Sequence, residues 1–341
     1  MPKQQFTTGA ILHQWDYRDV VACEVLDDVD LPAEFDTIDL MPGYQGAVPK
    51  CVIESYSYLA RLQDYYETGE DKITSADAGY VMAKTNYDHD RAYGTTLLTG
   101  AKVLCDHGLP EIKFFPDNEE LWNEPNKYFD ISRWTEAVHD NADIHRKRAY
   151  VRAGGTDWNA TVANQLQQAI YQRKGAVIII RGDDGFIGSG TGFVNTPIDI
   201  NNVWYHGITV KGWKVFNGDL HFKFANWWDP AQKGNGNGSA FGWLNFKKWQ
   251  PHIWGAMTTV DALNNEFVKI EMLKIIGDKR DGRQYIKDKG TNVIHWIFGQ
   301  PGQDSNMLQE LHNAEVLDKN QVEWHDNLDG FIIGSPWATL K

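Results

Sequence analysis

The sequence predicts an α+β fold in which a helical subdomain and an antiparallel β subdomain lie side by side. Three observations point there. Helix-period apolar patterns dominate residues 51–173. Runs rich in β-branched and aromatic residues begin at Ala176 and continue past residue 240. The two kinds of pattern are segregated along the chain, where a wound parallel sheet would alternate them.

In chain order, the first forty residues carry the acidic stretch Glu24-Val25-Leu26-Asp27-Asp28-Val29-Asp30 before Leu31-Pro32, which reads as an extended surface segment. Pro42-Gly43 is a turn signal. After Pro49, apolar or aromatic residues recur at Val52, Tyr56, Leu59, Leu62 and Tyr66, the spacing of a helix with one buried face. Pro49 sits where a helix can begin without losing a hydrogen bond, so Cys51 falls in the first turn. Further helices are predicted at 95–107, ended by Gly108, and at 161–173, ended by Lys174-Gly175. Ala176-Val177-Ile178-Ile179-Ile180 is a short apolar run between glycines, the pattern of a buried strand. Strands follow at 203–213 and 220–228, with Asn217-Gly218 as a hairpin turn, and at 242–246 after a mobile Gly/Asn loop at 233–238. From about residue 262 short β-type runs at 284–287 and 293–298 and a helix-like 305–314 suggest a small α+β appendage. The expected division is therefore 1–261 and 262–341.

Composition narrows the function classes. Of 341 residues, 42% are apolar and 23% charged, which excludes global disorder. A net charge of −13 makes a nucleic-acid partner a poor expectation. No apolar run approaches a membrane span, and Met1-Pro2-Lys3-Gln4-Gln5-Phe6 has no apolar core of a signal peptide, so a cytoplasmic or particle-associated protein is expected. Three cysteines are too few for a disulfide framework; Cys23 and Cys105 read as small buried hydrophobes. Asp88-His89-Asp90 reads as a solvated loop and Asp183-Asp184-Gly185 as a turn, since neither has metal-ligand spacing. No cofactor or metal is expected. His145-Arg146-Lys147-Arg148 reads as a solvated helix face.

Cys51 carries more. A thiol at a helix N-terminus is stabilised as thiolate by the helix dipole. Upstream stands Gly43-Tyr44-Gln45-Gly46-Ala47-Val48-Pro49-Lys50-Cys51, with Gln45-Gly46 six residues before the thiol. Downstream stand Tyr205-His206-Gly207-Ile208-Thr209-Val210-Lys211-Gly212-Trp213 and Leu220-His221-Phe222-Lys223-Phe224-Ala225-Asn226-Trp227-Trp228. In order and context these blocks resemble the papain-like (C1 family) cysteine peptidases. Gln-Gly followed by Cys resembles the nucleophile motif, the second block the family's His-Ala-Val…Val-Gly-Tyr strand, and the third its Lys-Asn-Ser-Trp motif. Gly242-Trp243 resembles the Gly-Tyr opening the next strand. The match covers roughly residues 35–250.

The resemblance implies a helical half with a central helix starting at Cys51 and an antiparallel, barrel-like half. It also implies Cys51 as nucleophile, His206 as base or imidazolium and Asn226 as its orienting group. Gln45 would be the oxyanion donor, Gly46 its supporting turn and Trp228 the cover over the His–Asn hydrogen bond. The substrate class implied is a protein or a cell-wall peptide. This chain departs from the family at Lys50 and Val52, which flank the thiol, at Tyr44 before the Gln, and at Val48, where the family's structural cysteine is missing. Lys50 is expected to favour the thiolate. The 44 residues before Gln45 are too few for the usual inhibitory propeptide, so no zymogen, or one controlled otherwise, is expected. The alternative function is a non-catalytic papain-like component of a larger assembly such as a virion or surface particle. Its docking partner would be met through 262–341, where His295-Trp296-Ile297-Phe298, Val322-Glu323-Trp324 and Ser335-Pro336-Trp337 supply aromatic surface.

Overall fold

The computed structural model describes residues 9–12, 26, 29–89, 93–154, 160–186, 192–199, 201–228 and 239–260, together with the backbone of five short strands between 274 and 333. Cys23, Asp90, the loop 233–238 and the helix expected at 305–314 lie outside the described residues. The chain divides into two compact units, Met1–Leu263 and Asn264–Lys341.

The first unit opens with β1 (Ala10–Ile11) and β2 (Phe35–Asp36), then the long helix α1 (Cys51–Thr68). α2 (Ala76–Met82), capped by the Ser75 hydroxyl, runs into one π-helical turn at Ala83–Tyr87. β3 (Thr95–Thr96) leads directly into α3 (Leu97–Asp106), which ends at Gly108 in the left-handed region. The short α4 (Pro125–Tyr128), α5 (Glu136–Ile144) and β4 (Ala149–Arg152) follow. α6 (Ala160–Arg173) precedes β5 (Ala176–Gly182), β6 (Trp204–Phe216) and β7 (Asp219–Ala225). Asn217 and Gly218 both take positive φ in the β6–β7 turn, the conformation an Asn-Gly pair favours. β8 (Phe241–Asn245), the single-turn α7 (Phe246–Trp249) and β9 (Ile253–Val260) complete the unit.

β4, β9, β5, β6, β7 and β8 lie in that order in one antiparallel sheet, and β2 pairs with β6. The sheet is open, which corrects the expected barrel: the terminal strands β4 and β8 are not paired to each other among the described residues. The reason is visible in β5. Its Val177 and Ile179 belong to the core under α1, while Ala176, Ile178 and Ile180 belong to the core under α6. Helices cover both faces, so a continuous apolar strand is buried on both sides with no enclosed interior to fill.

α1 is also more buried than one apolar stripe predicts. Every residue from Cys51 to Asp64 is buried, because α2 and α3 pack on one side and β5 and β6 on the other. Most of its polar side chains are partnered, the buried Tyr56 hydroxyl being an exception. Ser57 bonds Thr74, and Arg61 makes a two-point pair with Asp71 at 2.9 and 2.8 Å. Gln63 donates to the Thr259 carbonyl at 2.9 Å, and Asp64 accepts from Lys147 at 2.5 Å while bonding His145 at 2.7 Å. His145 and Lys147 are thus buried partners of α1, not part of a solvated helix face; Arg146 and Arg148 of the same run are exposed. Cys105 is half-buried on α3.

The second unit contributes β10 (Lys274–Asp278), β11 (Gln284–Lys287), β12 (Val293–Trp296), β13 (Val322–His325) and β14 (Ile332–Ile333). They form one sheet in the order β13, β10, β11, β12, β14, with parallel pairs at both edges.

Candidate active site

Cys51 is the first residue of α1, and its sulfur is fully buried where β6 crosses the helix N-terminus. Gly207 makes the crossing close. A Cβ there would stand 3.0 Å from the Val52 Cα, so only glycine lets the strand approach the helix backbone without displacement. The Gly207 N–H donates to the Cys51 sulfur at 3.4 Å. The preceding residue, His206, is buried and hydrogen-bonded through Nε2 to Asn226 Oδ1 at 2.8 Å. Asn226 Oδ1 also accepts the Trp227 N–H at 2.9 Å, which fixes that atom as the oxygen. Nε2 therefore donates, and in the neutral ring Nδ1 is the basic nitrogen. Nδ1 makes no hydrogen bond. Trp228 stacks on the imidazole, with centroids 4.6 Å apart and planes inclined by 24°.

Gln45 lies beside these groups. Its N–H donates to the Trp227 carbonyl at 3.0 Å and its side-chain amide to the Val48 carbonyl at 3.4 Å. Gly46, at φ +58°, turns the chain toward Val48 and α1 in a conformation that an L side chain resists. The residues singled out from the sequence (Gln45, Gly46, Cys51, His206, Asn226 and Trp228) are thus brought to one crossing of loop, helix and sheet.

Two contributors were not singled out. Trp227 donates its indole N–H to the Gly207 carbonyl at 2.8 Å and to Ser55 Oγ at 3.1 Å, and Ser55 Oγ in turn donates to the Cys51 carbonyl at 2.8 Å. The sequence signal, Asn-x-Trp, points to Trp228 and leaves its neighbour as a core residue. The other contributor is the segment 9–12. β1 pairs parallel with β3, the Thr95 N–H donates to the Gly9 carbonyl at 2.8 Å, and the Gly9 backbone reaches the Cys51 sulfur. Ile11 and Leu12 line a small cavity with Leu97, Ile179, Trp254 and Gly255. The seat is made for glycines: a Cβ on Gly9 would overlap the Pro49 carbonyl, and one on Gly94 would overlap the Gly9 carbonyl. The Gly9 backbone thus closes against the thiol from the N-terminal segment.

The enclosed site is electrically neutral. Burial pushes the Cys51 thiol up to about 12, opposed first by the Gly207 N–H and then by that of Gly9. Burial likewise pushes His206 down to about 4, opposed by its bond to Asn226. Lys50 does not supply the expected help. Its ammonium is buried and turned into three carboxylates, Asp117 at 2.7 Å, Asp77 at 2.8 Å and Glu54 at 3.2 Å. Among the described residues no three His, Cys, Asp or Glu side chains converge as a metal ion would require. Asp88 is tied to Lys84 and Thr99 instead. No helix among the described residues is long and apolar enough to cross a membrane.

No protein-family model matches the chain, and no curated protein matches it. Solved structures do. Xylellain, a cysteine protease from Xylella fastidiosa, superposes with TM-score 0.62 at 15% identity, over 77% of this chain and 98% of that one. Procathepsin L 3 from Tenebrio molitor larval midgut gives 0.54 at 16% identity, over 71% and 74%. Procathepsin B S9 from Trypanosoma congolense gives 0.53 at 14%, over 75% and 87%. The fold is papain-like.

Proposed function

We propose that the chain is a thiol peptidase. Cys51 is its nucleophile, His206 the base that takes the thiol proton at Nδ1, and Asn226 the group that holds the ring. Gln45 and the Cys51 N–H are the oxyanion donors, and Trp228 shields the imidazole. Attack on a peptide carbonyl forms a tetrahedral oxyanion. The imidazolium then protonates the leaving amine, and water hydrolyses the thioester. The observation that supports this most directly is the His206–Asn226 pair under Trp228, on the strand whose next N–H meets the Cys51 sulfur. The substrate is a peptide or protein.

The covered, neutral thiol favours a second reading, a papain-like scaffold that binds and does not cut, docking an assembly partner through residues 262–341. Labelling separates the two. An epoxysuccinyl inhibitor at neutral pH should modify Cys51 slowly in the whole chain, ahead of Cys23 and Cys105, and not at all in His206→Ala. Gly9→Val should lift the covering segment. Overpacking of about 1–3 kcal/mol against the closed state should speed labelling roughly five- to 150-fold. Equal labelling of all three thiols, or a Gly9→Val chain as inert as the original, would support the binding scaffold.

A further inference from the structure

We propose that Glu54 is a positioning residue for the oxyanion side of the site, acting through the loop that carries Gln45. The inference rests on the thiol-peptidase reading. Glu54 lies one turn into α1 from Cys51, and its side chain is buried. Its Oε2 sits directly under Gly43, so that a Cβ on Gly43 would overlap it. Two residues later the same loop presents Gln45, pinned by the Trp227 carbonyl; the Val48 N–H donates to the Gln45 carbonyl at 3.2 Å, and the Lys50 N–H to the Val48 carbonyl at 2.8 Å. The backbone from Gln45 into α1 is thus a tight spiral that closes on itself where Glu54 touches Gly43.

Glu54 is in turn held from behind. The Lys50 ammonium bridges it to Asp77 at the start of α2 and to Asp117 on the loop after residue 111. Asp77 accepts the Tyr128 hydroxyl of α4 at 2.8 Å and the Asn118 N–H at 2.6 Å. Asp117 accepts the Ser75 hydroxyl at 2.5 Å and the Asp77 N–H at 3.1 Å. Among the described residues these are the charged groups that act most strongly on Glu54. Each element is locked to the next, so the carboxyl under Gly43 is a fixed support. One cation against three carboxylates leaves an excess of negative charge. Burial, then the Asp117 and Asp77 charges, raise Glu54 to about 7 against the opposing pull of Lys50. The packed arrangement therefore favours the neutral carboxyl, and ionisation above neutrality adds repulsion from Asp77 and Asp117 to the support.

The test compares two probes on the full chain. Iodoacetamide alkylates Cys51 without building an oxyanion; turnover of a fluorogenic peptide requires one. Glu54→Ala removes the support and should lower kcat about tenfold, with KM and the alkylation rate within about twofold. Gly43→Ala pushes the loop off the same carboxyl from the other side and should reproduce that pattern. It serves if Glu54→Ala does not fold. Glu54→Gln keeps the volume and cannot ionise. It should retain wild-type kcat at pH 6 and lose the fall in kcat that wild type shows as pH rises through about 7. Unchanged kcat in both alanine variants overturns the inference, as does alkylation falling in parallel with kcat. Wild-type turnover that is lost in Cys51→Ala while both alanine variants match wild type overturns the inference alone. A wild-type chain with no turnover overturns the inference together with the reading beneath it.

Discussion

His206 shows how burial sets chemistry at the residue scale. Its imidazole is held near 4 because water cannot reach the charged form, and the Asn226 hydrogen bond recovers only part of that loss. The folded value is depressed, so between about 4 and 6.5 the unfolded chain binds a proton that the native state refuses. Stability from this residue is complete above pH 6.5 and is lost as pH falls toward 4. Denaturant titration should find the fold about 2 kcal/mol weaker at pH 5 than at pH 8 on this account alone, and His206→Gln should remove that increment. A pH-independent difference between wild type and variant would contradict it. That Cys51, His206, Asn226 and Gln45 meet at one crossing was legible because each stands in a motif with a fixed neighbour and order. Lys50 was misread because adjacency in sequence says nothing about direction. A lysine flanking a thiol can point at it or, as here, away into Asp77 and Asp117. Trp227 was missed because its role depends on where Ser55 and the Gly207 carbonyl lie, neither of which is local to it.

At the scale of elements, patterns with one strong period were legible and doubly buried ones were not. α3 and α6 came out within a residue or two of their bounds, and the β6–β7 hairpin followed from Asn217-Gly218. β9 was missed although it lies inside the sheet between β4 and β5: Gly255 and Ala256 interrupt its apolar run, and burial on both faces erases alternation. The apolar spacing of α1 predicts a helix with one buried face and leaves its polar residues without a place in the core. They are instead the contacts through which a central helix is held on every side. Asp64 is the clearest case, bonded at once to Lys147 and His145. Lys147→Met should cost about 3–5 kcal/mol, because it strands a buried carboxylate. Arg146→Met, one residue away but exposed, should change stability by less than about 0.5 kcal/mol. Chemical denaturation of both variants checks the contrast, and equal effects would return the segment to the surface. A similar tie fixes β2: the fully buried Lys211 ammonium bonds Asp39 at 2.8 Å and the Thr37 carbonyl at 2.6 Å, and also pairs with Asp36, so the extended stretch 35–39 is fastened to β6.

At the scale of the whole molecule, all the residues proposed for chemistry belong to the unit that ends at Leu263. Limited proteolysis at the junction should therefore leave a fragment of about that length which stays soluble and labels at Cys51 as the whole chain does. A fragment that precipitates or loses labelling would make the second unit part of the folding core. The overall α+β order was legible because helix and strand signals are segregated in sequence. The open sheet was not, since barrel and two-faced sheet share the same apolar strands and differ only in what covers them. The approach of Gly9 to Cys51 was not legible either: a parallel pairing of only Ala10 and Ile11 with Thr95 and Thr96 leaves no periodicity to detect.

The meeting of Gly207 with the first turn of α1 has a consequence for how this protein tolerates change. The contact is main chain against main chain, at 3.0 Å from the Cβ position, and Cys51 and His206, the two residues proposed for chemistry, each stand one step from it. Side-chain rotamers do not enter. A core built on flexible packing lets alignment drift with every substitution and every degree of warming. Here the separation of thiol and imidazole is referenced to a hard stop, as a machine tool is zeroed against its bed. Replacements in either core would register as lost stability while the alignment held. One added methyl at position 207 would leave both cores intact and move the stop itself by a few tenths of an ångström.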